Sequence, residues 1–74
     1  MATPSAQRIY GLKILQETDV KEAILLVEAF EKEDSVGFTR FYAMKFLVEW
    51  YKAGKIDVHE FMHRVKACAS LAAA

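Results

Sequence analysis

Between Phe38 and Lys52 the chain gathers six of its nine aromatic residues: Phe38, Phe41, Tyr42, Phe46, Trp50 and Tyr51. Wound as a helix at about 100° per residue, this segment keeps only a narrow polar strip, made by Lys45, Glu49 and Lys52 with Tyr42 beside them. Its apolar arc runs from Phe46 and Trp50 through Ala43, Leu47, Tyr51, Met44 and Val48 to Phe41, well over half the circumference. An ordinary surface helix carries an apolar stripe only a little wider than 100°. The aromatic segment therefore has to be covered from several sides. It either sits centrally among its neighbours or presents an interface.

The rest of the chain supplies the neighbours. A first segment, about Pro4 to Gln16, opens with Thr3 in the N-cap position and Pro4 at the first helical position. Its apolar residues Ile9, Tyr10, Leu12, Ile14 and Leu15 fit no single stripe, and Gly11 weakens a helix by about 1 kcal/mol relative to Ala. A strand here would have no partner, so the segment reads as helix. A second helix begins after Thr18 or Asp19, with Glu22 in the capping-box position, and ends near Glu33. Val20, Ala23, Ile24, Leu26, Val27 and Phe30 share its apolar arc, and Leu25 falls on the polar side. Asp34, Ser35 and Gly37 mark a break before the aromatic helix. Ala53-Gly54-Lys55 marks its end, with Gly54 in the left-handed position. Asp57 then caps a last helix, with Glu60 three residues on. Val58, Phe61, Met62, Val65, Cys68, Ala69 and Ala72 line one face of it, and His59, His63, Lys66 and Ser70 the other. Residues 1–4 are expected to be disordered and residues 70–74 to fray.

Short connections between helices favour antiparallel neighbours. The expected fold is all-α: a single domain over residues 1–74, a small three- or four-helix bundle with the aromatic helix, about 38–52, at its centre. At 54% hydrophobic and 27% charged the composition is that of a globular chain. Seventy-four residues lie near the lower limit for a single core without staples. The one cysteine, Cys68, cannot make an internal disulfide. The first residues carry no apolar run of the secretory kind, and no segment approaches the roughly 20 apolar residues of a membrane span. A reducing, cytoplasmic setting is expected.

Charge is unevenly placed. Residues 17–34 hold seven acids (Glu17, Asp19, Glu22, Glu28, Glu31, Glu33 and Asp34) against Lys21 and Lys32. The remainder is correspondingly basic, since the formal net charge is zero. Attraction between neighbouring helices explains this pattern best, and a docking face for a basic partner is the alternative. A zero net charge counts against a dedicated nucleic-acid binder.

Three motifs suggest chemistry. His59-Glu60-Phe61-Met62-His63 resembles the H-E-x-x-H signature of zinc metallopeptidases over five residues. On a helix it puts two imidazoles on one side and a glutamate beside them to activate a metal-bound water. Asp57 and Arg64 flank it where that signature wants uncharged residues, there is no third histidine, and no carboxylate follows Glu60. His59 and His63 remain the candidate metal ligands. Gly54 to Phe61 resembles the second half of an EF-hand calcium loop, with Gly54 at the sharp turn and Glu60 as bidentate ligand. In the first half Glu49, Tyr51 and Ala53 fall on the ligand positions, and only the first is a carboxylate. The same string describes any helix, glycine turn and capped helix. The third motif is that helix-turn-helix itself, in which Lys55, His59, His63, Arg64 and Lys66 give the last helix a basic face for nucleic acid. Few residues there suit base reading, and the chain contains no Asn.

No nucleophile constellation or phosphate loop surrounds Ser5, Ser35, Ser70 or Cys68. The expectation is a non-catalytic protein-protein interaction module without cofactor or small-molecule substrate: a regulatory subunit, adaptor or inhibitor that forms a homodimer or docks a protein partner. The expected contact residues are Phe38, Arg40, Phe46, Trp50, Tyr51 and Leu25. Arg40 enters because it falls inside the apolar arc, and aromatics and Arg are the types enriched at hot spots. A nucleic-acid-binding regulator and a metal-binding protein are the alternatives.

Overall fold

A computed structural model describes residues 5–74, which form helices and contain no strand. Helix α1 spans Ala6–Gln16, α2 Val20–Glu33, α4 Tyr42–Lys52 and α5 Val58–Ala73. Between α2 and α4 lie a single turn, α3 (Ser35–Phe38), and a 3-10 turn (Thr39–Phe41). No helix among the described residues is long and apolar enough to cross a membrane.

Caps explain most boundaries. Ser5 caps α1 by accepting from the Arg8 amide at 3.3 Å, and the helix starts after it. The expected cap Thr3 and first helical residue Pro4 lie outside the described residues. Asp19 caps α2 through the Lys21 amide. Asp57 caps α5 by accepting from the Glu60 amide at 2.8 Å. The Glu60 carboxylate, expected to reach back into the cap, instead pairs forward with Arg64 at 2.8 Å. Helix α4 ends in a Schellman turn: the Lys55 amide donates to the Trp50 carbonyl and the Gly54 amide to the Tyr51 carbonyl. Gly54 sits there at φ +74°, with no atom near the place a Cβ would take. Gly54→Ala is therefore expected to cost about 1 kcal/mol through backbone strain alone, measured as a shift in urea midpoint at unchanged slope.

The aromatic segment departs from a continuous helix over 38–52. Asp34 accepts from the Gly37 amide at 2.8 Å and starts α3, and the 3-10 turn follows before α4 begins. In 3-10 geometry residues three apart eclipse one another. Phe38 and Phe41 accordingly both turn inward onto Phe30, with ring centroids 5.1 and 6.3 Å away. Tyr10 of α1 stacks on the same ring at 5.7 Å, so Phe30 is the hub of the core. Around it lie Ile14, Ala23, Val27, Met44, Leu47, Val48, Phe61, Val65, Ala69 and Ala72, all buried.

Helix α1 packs along α5 and against α2. The crossing is close at Gly11. A Cβ there would stand 2.8 Å from the Ala69 carbonyl oxygen, 2.9 Å from the Ala73 nitrogen and 3.0 Å from the Ala72 Cβ. The glycine that looked like a weak point is the contact point between two backbones. It also lies against the alanine tail: α5 continues to Ala73 and Ala72 is fully buried. Helix α4 packs against α5 and α2. Its polar strip meets the acidic α2, with Lys45 paired to Glu31 and Lys52 to Glu28, both at 3.3 Å. Tyr10 donates to Glu33 from α1, and that bond, then burial, raises the phenol pKa above its ordinary value. The uneven charge is thus used in part between neighbouring helices.

Candidate functional site: an open aromatic groove

Because α1 lies along α5 and α2, it leaves one edge of α4 uncovered. The wide apolar arc of α4 divides there. Met44, Leu47 and Val48 enter the core, and Tyr51 is half-buried against Phe61 at 5.2 Å between rings. The other edge of the arc faces solvent as a row spaced at i and i+4: Tyr42, Phe46 and Trp50, exposed by 46, 43 and 40%. Their rings touch in series. Tyr42 meets Phe46 edge to face at 5.0 Å, Phe46 meets Trp50 at 6.3 Å, and the Lys45 ammonium lies 5.4 Å over the Tyr42 ring.

Beside this ridge runs a groove of about 550 Å³ between α4 and α5. Phe46 and Trp50 form one wall, Ala43 and Leu47 continue it downward, and Ala67, Cys68, His63 and Arg64 stand on the α5 side. The small side chains of Ala43 and Ala67 are what leave room between the helices. Burial pushes the Cys68 thiol pKa up, which favours the neutral thiol in this apolar lining. Leu71, 69% exposed, lies one turn beyond Ala67 and extends the apolar character along α5.

The six expected contact residues separate. Phe46 and Trp50 stand in the groove wall. Phe38 does not belong to any surface: at 3% exposure it is a core residue, turned inward by the 3-10 geometry. Tyr51 is likewise engaged with Phe61 in the core. Arg40 is exposed on the 3-10 turn, because the change of helical pitch takes it out of the arc. Leu25 is exposed on α2 but is not among the groove residues. The α5 wall escaped sequence reasoning. Arg64 and Ala67 lie outside the recognised apolar face, and Tyr42 was assigned to the polar strip. The adjacency of Ala67, Cys68 and Leu71 on the helical wheel was the signal that could have found them.

His59 and His63 lie on the exposed side of α5. Among the described residues no three His, Cys, Asp or Glu side chains gather as they would to hold a metal ion. Glu60, the third member of the motif, is held by Arg64. Of the basic residues of α5, His59, His63 and Lys66 share one face, and Arg64 stands about 160° from Lys66 around the helix axis, at the groove.

What the fold and the site define is an all-α domain with an aromatic ridge beside an open apolar groove. No family model, curated protein or solved structure matches the chain.

Proposed function

We propose that this chain is a non-catalytic protein-protein interaction module, of the regulatory, adaptor or inhibitor kind, that works in the cytoplasm and binds protein through the α4–α5 groove. The observation that carries the reading is the row of Tyr42, Phe46 and Trp50, left exposed beside the groove. Rigid aromatic rings offer large contact area at low entropic cost, and Trp and Tyr lead the residue types found at hot spots. Contiguous exposed apolar patches of this kind mark association sites. The i, i+4 spacing of the row is that of a helical face, the kind of surface that meets a partner helix at successive turns. The lone, half-buried Cys68 accords with a reducing compartment.

The test is site-specific photo-crosslinking in cells that express the protein. A photoreactive residue replaces Ala67 in the groove, and a second form carries it at Lys21 on the exposed side of α2. Protein adducts formed from position 67, absent from position 21 and lost when Phe46→Glu is added, are expected. Identical adducts from both positions, or none from position 67, would refute the groove as the binding surface.

A further inference from the structure

We infer that the occupant of the groove is a second copy of this chain, docked about a two-fold axis so that the ridge of each copy enters the groove of the other. The inference rests on the proposed function and adds the identity of the partner. A two-fold interface uses the same patch on both subunits, so that patch must be complementary to itself. Ridge and groove lie side by side here. The ridge is Tyr42, Phe46 and Trp50, and the adjoining hollow has Ala43 and Ala67 in it, small enough to admit an aromatic ring. Rotation by a half-turn presents each ridge to the opposite hollow.

Charge fits the same operation. Glu49 stands on the outer flank of the ridge, exposed, near Lys45 and Lys52 but within ion-pair distance of neither. Arg64, which also holds Glu60 at 2.8 Å, and His63 stand on the far wall of the groove. When the ridge of one copy crosses into the groove of the other, Glu49 approaches that basic wall, and the reciprocal contact forms at the same time. The net charge of zero opposes no self-association. A standard interface takes about 800 Å² from each partner, about a sixth of this chain's 4947 Å². The face two helices wide is as long as α4, about 16 Å, and the exposed Leu71 of α5 extends it.

Sedimentation equilibrium on the full chain, over a wide concentration range, tests this directly. The expected result is a reversible monomer-dimer equilibrium. Phe46→Glu should weaken it by about 30-fold or more, the loss typical of a hot-spot residue, while circular dichroism stays that of a folded helical domain. Charge reversal supplies a test that does not depend on that variant. Glu49→Lys alone and Arg64→Glu alone should each weaken the dimer about tenfold, because each sets like charges together. Mixed in equal amounts, the two should form a heterodimer with near wild-type affinity, since both of its contacts then pair opposite charges. A wild-type chain that remains monomeric throughout overturns the inference, as does a dimer indifferent to Phe46→Glu and to both reversals. If the chain is monomeric while position 67 crosslinks to a different protein, the second-copy inference fails and the proposed function stands. If it is monomeric and position 67 crosslinks to nothing, both fail.

Discussion

Phe30→Ala is expected to lower the free energy of unfolding by about 3–5 kcal/mol, a large part of the 5–15 kcal/mol that native domains possess. Phe30 is fully buried and its ring is touched from three directions: Tyr10 stacks on it, and Phe38 and Phe41 approach from the turn before α4. Truncation removes the transfer energy of the ring and leaves a void. Four helical pieces meet at that ring, and none of them can collapse into the space without pulling away from its other contacts. A 74-residue chain has few alternative contacts to compensate. Urea unfolding of the two proteins gives the difference. A loss below about 1 kcal/mol would mean that the ring is not packed as described, because burial of an aromatic side chain alone exceeds that value.

The second large effect concerns a residue with no side chain. Gly11→Leu is expected to cost about 3 kcal/mol, at the upper end of what overpacking brings. The atoms a new side chain would strike are the carbonyl oxygen of Ala69 and the nitrogen of Ala73, which belong to the backbone of α5 and cannot rotate away. Relief requires that α1 and α5 separate, which would uncover Ile14, Ala69 and Ala72. Gly11→Ala sharpens the interpretation. In an unobstructed helix that change stabilises by about 1 kcal/mol. Here the methyl group meets backbone inside 3.0 Å, so the propensity gain should be cancelled or reversed. Thermal unfolding of both variants reads the result, and amide exchange along residues 6–16 shows whether α1 has come loose. A Gly11→Ala protein clearly more stable than wild type would contradict the close crossing.

These two sites also show what could be read from residue order. The hub was accessible: Phe30 lies on the apolar arc of an amphipathic helix, and burial follows from periodicity. The ends of helices were accessible for the same local reason. Asp19, Gly54 and Asp57 act through atoms within a few residues of themselves, so their roles do not depend on the rest of the fold. Gly11 was misread because its value lies in another helix. Local propensity counts the glycine as a cost, and only the position of Ala69 and Ala72 turns it into a contact. The candidate site was half legible. The wheel found an arc too wide for one core and named Phe46 and Trp50, but Phe38 and Arg40 were placed by extending one helical pitch through residues 39–41. No proline or glycine within those residues announces the change of pitch. It shows only in the three-residue spacing of Phe38 and Phe41, whose rings both meet Phe30.

That short tight turn makes the number of residues before α4 as informative as their identity. Each residue of a 3-10 turn advances the chain by about 120°. Removing Thr39 or Arg40 would leave every side chain of α4 chemically intact and turn the whole set by that angle relative to α2 and α5. Such a turn is enough to carry rings of the exposed row toward the interior, or to bring Lys45 and Glu49 against it. The outer face of this protein is therefore encoded as a count, and shortening that connection by one residue should disturb it more than many replacements within the face itself.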